Sequence, residues 1–174
     1  LKPGEFFVFE QKIGWKIRKY WRLKASEHTD DVKTTIEKTR FLITDAVKRQ
    51  LISDVPLCCF LSGGLDSSII SKIVSESYLS DNKGSLHTYS VNYVDNQQYF
   101  VKNIFQPDSD EEYIRMMVNE IGSQHHEVSL DNEDLEKHLG EAVLARDLPG
   151  MADVDSSLLL FCRKIKKEFT VAVS

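Results

Sequence analysis

The chain has 174 residues, of which 41% are apolar and 28% charged, and a net charge of -5; this is the composition of a water-soluble globular domain. The acidic balance argues against a nucleic-acid partner, and no apolar run approaches the roughly 20 residues that span a membrane. Cys58, Cys59 and Cys162 lack the Cys-x-x-Cys spacing of zinc or redox sites. They are therefore predicted to be apolar core residues in a reducing, cytoplasmic compartment.

The first third of the chain separates into three segments. Residues 5–23 are rich in aromatic and β-branched side chains, which predicts a β-hairpin or edge strands. Residues 24–31 are polar and are predicted to be a linker, at whose end Thr29 or Asp30 can cap a helix. Apolar side chains then recur at helical spacing over 32–51.

From residue 32 onward, helical patterns alternate with short apolar strands. This alternation is typical of an α/β fold, a parallel sheet with helices on both faces. Strands are predicted at 57–61, 86–94, 125–130 and 169–173. Helices are predicted at 67–79, from a cap at Asp108, Ser109 or Asp110 to Gly122, at 132–147 and at 154–168. Residues 95–109 otherwise show no clear pattern. Ligands of such sheets bind at the carboxyl ends of the strands.

A loop rich in serine and glycine, Ser62 to Ser68, joins the first of these strands to its helix. Its glycines permit a sharp turn and the close approach of a phosphate, and the first N–H groups of the helix then point at the anion. The hydroxyls of Ser62, Ser67 and Ser68 add donors, and the Asp66 carboxylate suits a magnesium ion beside the phosphates. The loop is not a Walker A motif, because no lysine follows the glycines.

The loop resembles the pyrophosphate loop of N-type ATP pyrophosphatases, which cleave ATP between its α- and β-phosphates. Within that superfamily the chain resembles the asparagine synthetases along almost its whole length. The supporting segments are Leu61 to Ile69, Asp54-Val55-Pro56 before the loop, His87 to Val91, Asp110-Glu111, His125 to Val128, Asp147 to Asp153, and Thr170 to Ser174. The resemblance implies the fold of the PP-loop ATPases (adenine nucleotide α-hydrolase-like), a parallel sheet flanked by helices, here with a short N-terminal β segment.

The resemblance also implies roles for individual residues, although it assigns no catalytic residue within the chain. The pyrophosphate end of ATP is expected at Ser62, Gly63, Gly64, Ser67 and Ser68. Asp66 is expected to ligate magnesium, the backbones around Leu61 and Val91 to flank the adenine, and Ser174 to begin a second nucleotide loop.

The reaction of the family adenylates the side-chain carboxylate of aspartate and releases pyrophosphate, after which ammonia derived from glutamine gives asparagine and AMP. The resemblance therefore implies a ligase that uses ATP and Mg²⁺, with aspartate and ammonia as substrates. Magnesium and backbone donors stabilise the charge that builds on the departing pyrophosphate.

The same resemblance divides the chain into domains. Residues 1–23 are expected to be the last strands of a glutaminase domain, 24–31 a linker, and 32–174 the N-terminal part of a synthetase domain. The chain is expected to be an inactive part of a longer protein, whose glutaminase and C-terminal synthetase parts are its partners; neither nucleic acid nor membrane is expected. Exposure of Phe6 to Phe9 predicts aggregation or a homodimer contact.

Three other interpretations stay open. A β-lactam synthetase-like ligase shares the adenylation but closes a ring, and substrate profiling would separate the two. A tRNA-modifying PP-loop enzyme is disfavoured by the acidic balance of the chain. A nucleotide-binding module without catalysis predicts binding of Mg-ATP without turnover.

Overall fold

Two compact units make up the part of the chain that the computed structural model describes, residues 1–94 and 109–174. The first unit comprises residues 1–39 and the second residues 40–174. Most of the stretch 95–109, for which the sequence predicts no element, lies outside the described residues.

The first unit contains a two-stranded antiparallel hairpin, which confirms the hairpin predicted within 5–23. Its strands are β1 (Glu5–Glu10) and β2 (Gly14–Lys19). Phe7 lies opposite Ile17, and Phe9 lies opposite Trp15. These four apolar side chains share one face of the hairpin, because alternate residues of a strand point the same way. They are 48% to 66% exposed, in agreement with the expected exposure of this apolar stretch.

Helix α1 (Val32–Arg49) has a different cap from the one predicted. The Asp31 carboxylate accepts a hydrogen bond of 2.7 Å from the backbone N–H three residues later, which is the geometry of an N-cap. Asp30 instead forms an ion pair of 2.7 Å with Lys38. The prediction of Thr29 or Asp30 was therefore wrong, because three successive polar side chains offer the same chemistry and only the backbone selects among them.

A four-stranded parallel sheet forms the centre of the second unit. Its strands are β3 (Leu57–Phe60), β4 (His87–Tyr93), β5 (Gln124–Leu130) and β6 (Val171–Val173), in the order β5-β4-β3-β6. The described helices that follow α1 are α2 (Leu65–Ser80), α3 (Asp110–Ile121), α4 (Asn132–Lys137), α5 (Leu139–Arg146) and α6 (Ala152–Ile165). This architecture confirms the predicted α/β class, a parallel sheet flanked by helices.

Helix α3 begins and ends at residues that the sequence singles out. Ser109 caps it by accepting a hydrogen bond from the N–H of Glu111, and Gly122 ends it in the left-handed conformation at φ 61°. Asp108, another predicted cap, lies outside the described residues. None of the helices in the described part of the chain has the length and apolar character needed to cross a membrane.

Several predicted elements differ from the structure at their ends, and one is divided in two. The helix predicted over 132–147 is interrupted at His138, whose N–H bonds to the last carbonyls of α4 and ends that helix. The strand predicted over 169–173 starts two residues late, because the N–H of Phe169 still bonds to the end of α6 at 2.8 Å.

Apolar cores lie on both faces of the sheet, and the adjacent residues Cys58 and Cys59 enter different ones. Successive side chains of a strand point to opposite faces, so this pair confirms that helices cover both. The first core contains Val47, Leu57, Cys59, Ile73, Val74 and Leu86. The second contains Cys58, Tyr89, Val128, Leu130, Phe161 and Ile165.

The cysteines should differ sharply in reactivity. Burial raises the pKa of Cys58 to about 11 and that of Cys59 to about 12, and both are core residues as predicted. Cys162 is exposed, so its prediction as a core residue was wrong, although partial burial raises the pKa of its thiol as well. Because the thiolate is the nucleophile, iodoacetamide at pH 8 should alkylate Cys162 at least about tenfold faster than the other two. Peptide mass spectrometry of the native chain measures the three rates. The urea-unfolded chain is the control, in which the rates should become similar; similar rates in the native chain would contradict this core.

Candidate functional site

The candidate site lies at the carboxyl ends of the parallel strands, where β3 gives way to the loop before α2. The backbone N–H of Leu61 donates to the carbonyl of Tyr89 at 2.8 Å, so pairing with β4 continues one residue beyond β3. Leu61 itself is fully buried. Val91 lies near the same end of β4, and Ser174 directly follows β6, whose Val173 is in register with Cys59. The sheet thus brings Leu61, Val91 and Ser174 to the same end of the strands.

The loop turns through Gly63, whose backbone is left-handed at φ 81°. A Cβ atom at this position would lie 2.6 Å from the carbonyl oxygen of Asp110, at the start of α3. Position 63 therefore requires glycine for two reasons: the left-handed backbone conformation and the close approach of α3. Gly64 has φ -72°, and a Cβ there would approach only the Ser62 hydroxyl, at 3.4 Å. The sharp turn thus depends on one glycine, not on two as the sequence predicts.

The three serine hydroxyls of the loop form local hydrogen bonds, those of Ser62 and Ser67 with each other and that of Ser68 with the backbone. Ser67 Oγ lies 3.1 Å from Ser62 Oγ and accepts from the backbone N–H of Ser62 at 3.3 Å. The Ser68 hydroxyl donates to the carbonyl of Gly64 at 2.8 Å. These bonds tie the start of the loop to the first turn of α2. The hydroxyls of Ser67 and Ser68 both donate their single proton to the Gly64 carbonyl, so they hold the turn in place and are not the free donors that the sequence predicts.

The first turn of α2 presents both backbone donors and a carboxylate. The N–H groups of Leu65, Asp66 and Ser67 have no carbonyl partner within the helix, as at the start of every α-helix. The helix dipole adds a partial positive charge at this end. The Asp66 side chain is exposed and forms no hydrogen bond or ion pair with the rest of the described chain. The turn therefore combines an anion-binding end with an oxygen ligand that is free to hold a hard cation.

A cavity of about 560 Å³ adjoins the loop. Leu61, Ser62 and Val91 line it, whereas the other predicted site residues do not. Phe60 and Phe161 form an apolar wall, with their ring centroids 4.9 Å apart. A cavity of this size with an apolar wall and polar groups at its margin suits a small organic ligand.

Polar side chains on the other walls were not singled out by sequence. The Tyr93 hydroxyl lies 2.7 Å from Ser157 Oγ and links the end of β4 to α6. Asn92 donates to Glu127 at 3.1 Å and links β4 to β5. All four residues line the cavity. The only sequence signal for these side chains was a position near the end of a predicted strand. That signal covers Asn92 and Tyr93 but not Ser157, which lies inside a helix.

The family of the chain is given by comparison of its sequence with known proteins. Residues 38–174 match the family model described as asparagine synthase. The whole chain is 48% identical to asparagine synthetase [glutamine-hydrolyzing] 3 of Bacillus subtilis (strain 168) and covers 28% of it. Against asparagine synthetase [glutamine-hydrolyzing] of Rattus norvegicus, identity is 23% over 91% of this chain and 29% of the relative. The chain thus spans less than a third of the length of these curated relatives.

Among solved structures, the chain is similar to NAD+ synthetase from Burkholderia pseudomallei. The TM-score is 0.43 at 14% identity, over 84% of this chain and 63% of that one.

The two glycines of the loop provide a matched test of its geometry. Gly63→Ala should lower the free energy of unfolding by about 3 kcal/mol, because it adds left-handed strain and a clash with the backbone of α3. Gly64→Ala should cost only about 1 kcal/mol, the usual effect of alanine at an N-cap. Urea unfolding of both variants measures the difference. Equal losses would mean that the left-handed turn at Gly63 does not constrain the loop.

Proposed function

This chain belongs to the asparagine synthase family, and from that premise we propose that it is the nucleotide-binding part of a glutamine-dependent asparagine synthetase. In the proposed reaction, ATP adenylates the side-chain carboxylate of aspartate and pyrophosphate leaves. Ammonia derived from glutamine then displaces AMP to form asparagine. The observation that carries the proposal is the β3–α2 loop, where a left-handed glycine brings the start of α3 against the anion-binding end of α2.

The pyrophosphate end of ATP is proposed to bind at Ser62, Gly63, Gly64, Ser67 and Ser68. In support, the N–H groups at the start of α2 are directed out of the helix and need a partner. The same groups would stabilise the negative charge that builds on the pyrophosphate as the bond to the α-phosphorus breaks. The hydroxyls of Ser67 and Ser68 already hold this turn in place, so their proposed task is to keep the N–H groups aimed at the anion.

The adenine is proposed to lie between the backbones of Leu61 and Val91. Both residues line the cavity beside the loop, and the Phe60–Phe161 wall offers apolar surface to a ring. This apolar wall would also exclude water from the acyl-adenylate, which water would otherwise hydrolyse. Ser174, at the same end of the strands, is proposed to begin a second segment that contacts the nucleotide.

Asp66 is the proposed ligand of a magnesium ion. Its carboxylate suits a magnesium ion because it is exposed, has no partner among the described residues, and lies in the turn that would receive the phosphates. Asp110 and Glu127 also line the cavity, and their negative charge would oppose a polyphosphate that carried no cation. When bound, magnesium neutralises charge on the departing pyrophosphate.

The exposed hairpin is proposed to belong to a glutaminase domain. Residues 1–23 would be its last strands, 24–31 the linker, and 32–174 the N-terminal part of the synthetase domain. The apolar face formed by Phe7, Phe9, Trp15 and Ile17 supports this proposal, because a two-stranded hairpin alone cannot bury it.

The proposal is tested by replacing the magnesium ligand in the full-length protein. Asp66→Asn keeps the shape of the side chain but removes its charge, and should reduce aspartate-dependent pyrophosphate release from Mg-ATP by about 100-fold or more. Release is measured with aspartate and ammonia, so that glutamine hydrolysis does not limit the assay. Glu76→Gln, an exposed change on the same helix, is the matched control and should leave the rate unchanged.

Two outcomes would contradict parts of this proposal. Undiminished release in Asp66→Asn would remove Asp66 from the magnesium site. No release with aspartate, together with release when another carboxylate is supplied, would keep the adenylation but assign the protein to a sister ligase such as a β-lactam synthetase.

A further inference from the structure

A second cluster of ligand-type side chains lies at the opposite end of the strands from the phosphate-binding loop. His87 is the first residue of β4, His126 lies on β5, and Glu168 lies between α6 and β6. One ligand atom from each comes within 4.8 Å of the other two. Among the described residues, these three side chains form the group of histidine and acidic residues that lies close enough together to hold a metal ion.

The two imidazoles face each other directly. His87 Nδ1 lies 3.0 Å from His126 Nε2, and the ring planes differ by only 10°. Phe169 flanks the His87 ring with centroids 5.0 Å apart, and Tyr89 stacks on the His126 ring at 4.6 Å. Both histidines are half-buried. The rings are therefore held by aromatic neighbours and by the register of two strands, which fixes the separation of their nitrogen atoms.

The carboxylate is oriented by a buried neighbour. The Tyr89 hydroxyl donates to Glu168 Oε2 at 3.2 Å, and Tyr89 is only 4% exposed. Burial raises the pKa of Tyr89 to about 12, so the hydroxyl stays protonated and remains a donor. Hydrogen bonds of this kind to a ligating carboxylate are a regular feature of metal sites. Glu168 is exposed, which leaves an entry path for an ion.

We propose that His87, His126 and Glu168 bind a divalent transition-metal ion of the zinc class, with solvent as the fourth ligand. Two imidazoles and a carboxylate form a ligand set that zinc accepts in tetrahedral geometry. Magnesium and calcium prefer oxygen ligands, so the cluster is distinct in chemistry from the proposed magnesium site. Because it lies at the other end of the strands, it does not depend on the proposed function.

The two nitrogens need only small shifts to accept the ion, whereas the oxygen of the exposed Glu168 side chain, within 4.8 Å of them, must move closer by up to about 1.5 Å. Two nitrogens bound to a tetrahedral zinc lie about 3.3 Å apart, a few tenths of an ångström more than in the hydrogen-bonded pair. In that pair one ring donates its N–H to the other ring. On binding, this proton moves through solvent to the second nitrogen of the same ring, and both facing nitrogens then carry free lone pairs. Burial and the neighbouring His126 lower the pKa of His87, which favours the neutral ring that a metal requires.

The ion would fasten three segments that are distant in sequence: the starts of β4 and β5 and the connection before β6. The connection carries both Glu168 and Phe169, and it leads directly into the edge strand of the sheet. An ion that binds the folded chain and not the unfolded one stabilises it by mass action. The expected effect is therefore a rise in the melting temperature that depends on the zinc concentration.

The test measures zinc binding to the 174-residue chain by isothermal titration calorimetry in the presence of excess magnesium. The expected result is one zinc ion per chain. Glu168→Gln and His126→Asn should each weaken binding by more than tenfold, and Tyr89→Phe by about tenfold. His28→Asn, a change at an exposed histidine outside the cluster, is the matched control and should leave binding unchanged.

Cobalt provides a second, spectroscopic measurement of the same site. Bound Co²⁺ in a tetrahedral site gives intense visible absorption, which Glu168→Gln, a change at an exposed residue, should remove or shift. The proposal is overturned if the chain does not bind zinc at about 100 µM. Even a weak site with a dissociation constant on the order of 100 µM would be half occupied at that concentration. The proposal is also overturned if binding is the same in Glu168→Gln, His126→Asn and His28→Asn.

Discussion

The site depends on one backbone conformation, the left-handed turn at Gly63. This turn redirects the chain from β3 into α2, and the missing side chain lets the start of α3 come into contact with the loop. A strand, a loop and two helix N-termini thereby meet at one point. Any larger residue would separate α3 from the loop, so the architecture of the site and the identity of this residue cannot be varied independently.

Burial on both sides of the sheet keeps this turn in place. Cys58 and Cys59 are each fully buried, one in each core, so β3 is the central element of the second unit. Tyr78, on α2, adds a polar connection: its hydroxyl donates to the carbonyl of Leu57 at 2.9 Å. The helix that presents the anion-binding end is thus fastened to the strand that precedes the loop. A rigid scaffold of this kind can hold backbone donors in position before a ligand arrives.

Local patterns predicted most of the elements to within a few residues, but not the break at His138 or the walls of the cavity. The strand, loop and helix around Gly63 are contiguous in sequence, so apolar runs and glycines reveal them. Tyr93 and Ser157 are 64 residues apart and meet only because the sheet places β4 beside α6. The same holds for His87 and His126, which become neighbours through the register of β4 and β5. Local patterns also did not predict which of several similar side chains caps a helix, as at Asp31.

Chemical-shift mapping of the 174-residue chain tests the central claim most directly, namely that the β3–α2 loop receives the phosphates and the adjoining cavity the base. Amide resonances would be recorded with magnesium pyrophosphate and, separately, with adenosine. Pyrophosphate should shift the amides of residues 62–68, and adenosine those around Leu61 and Val91. Shifts by pyrophosphate that spare residues 62–68 and fall elsewhere, or the same shifts with both ligands, would contradict the account.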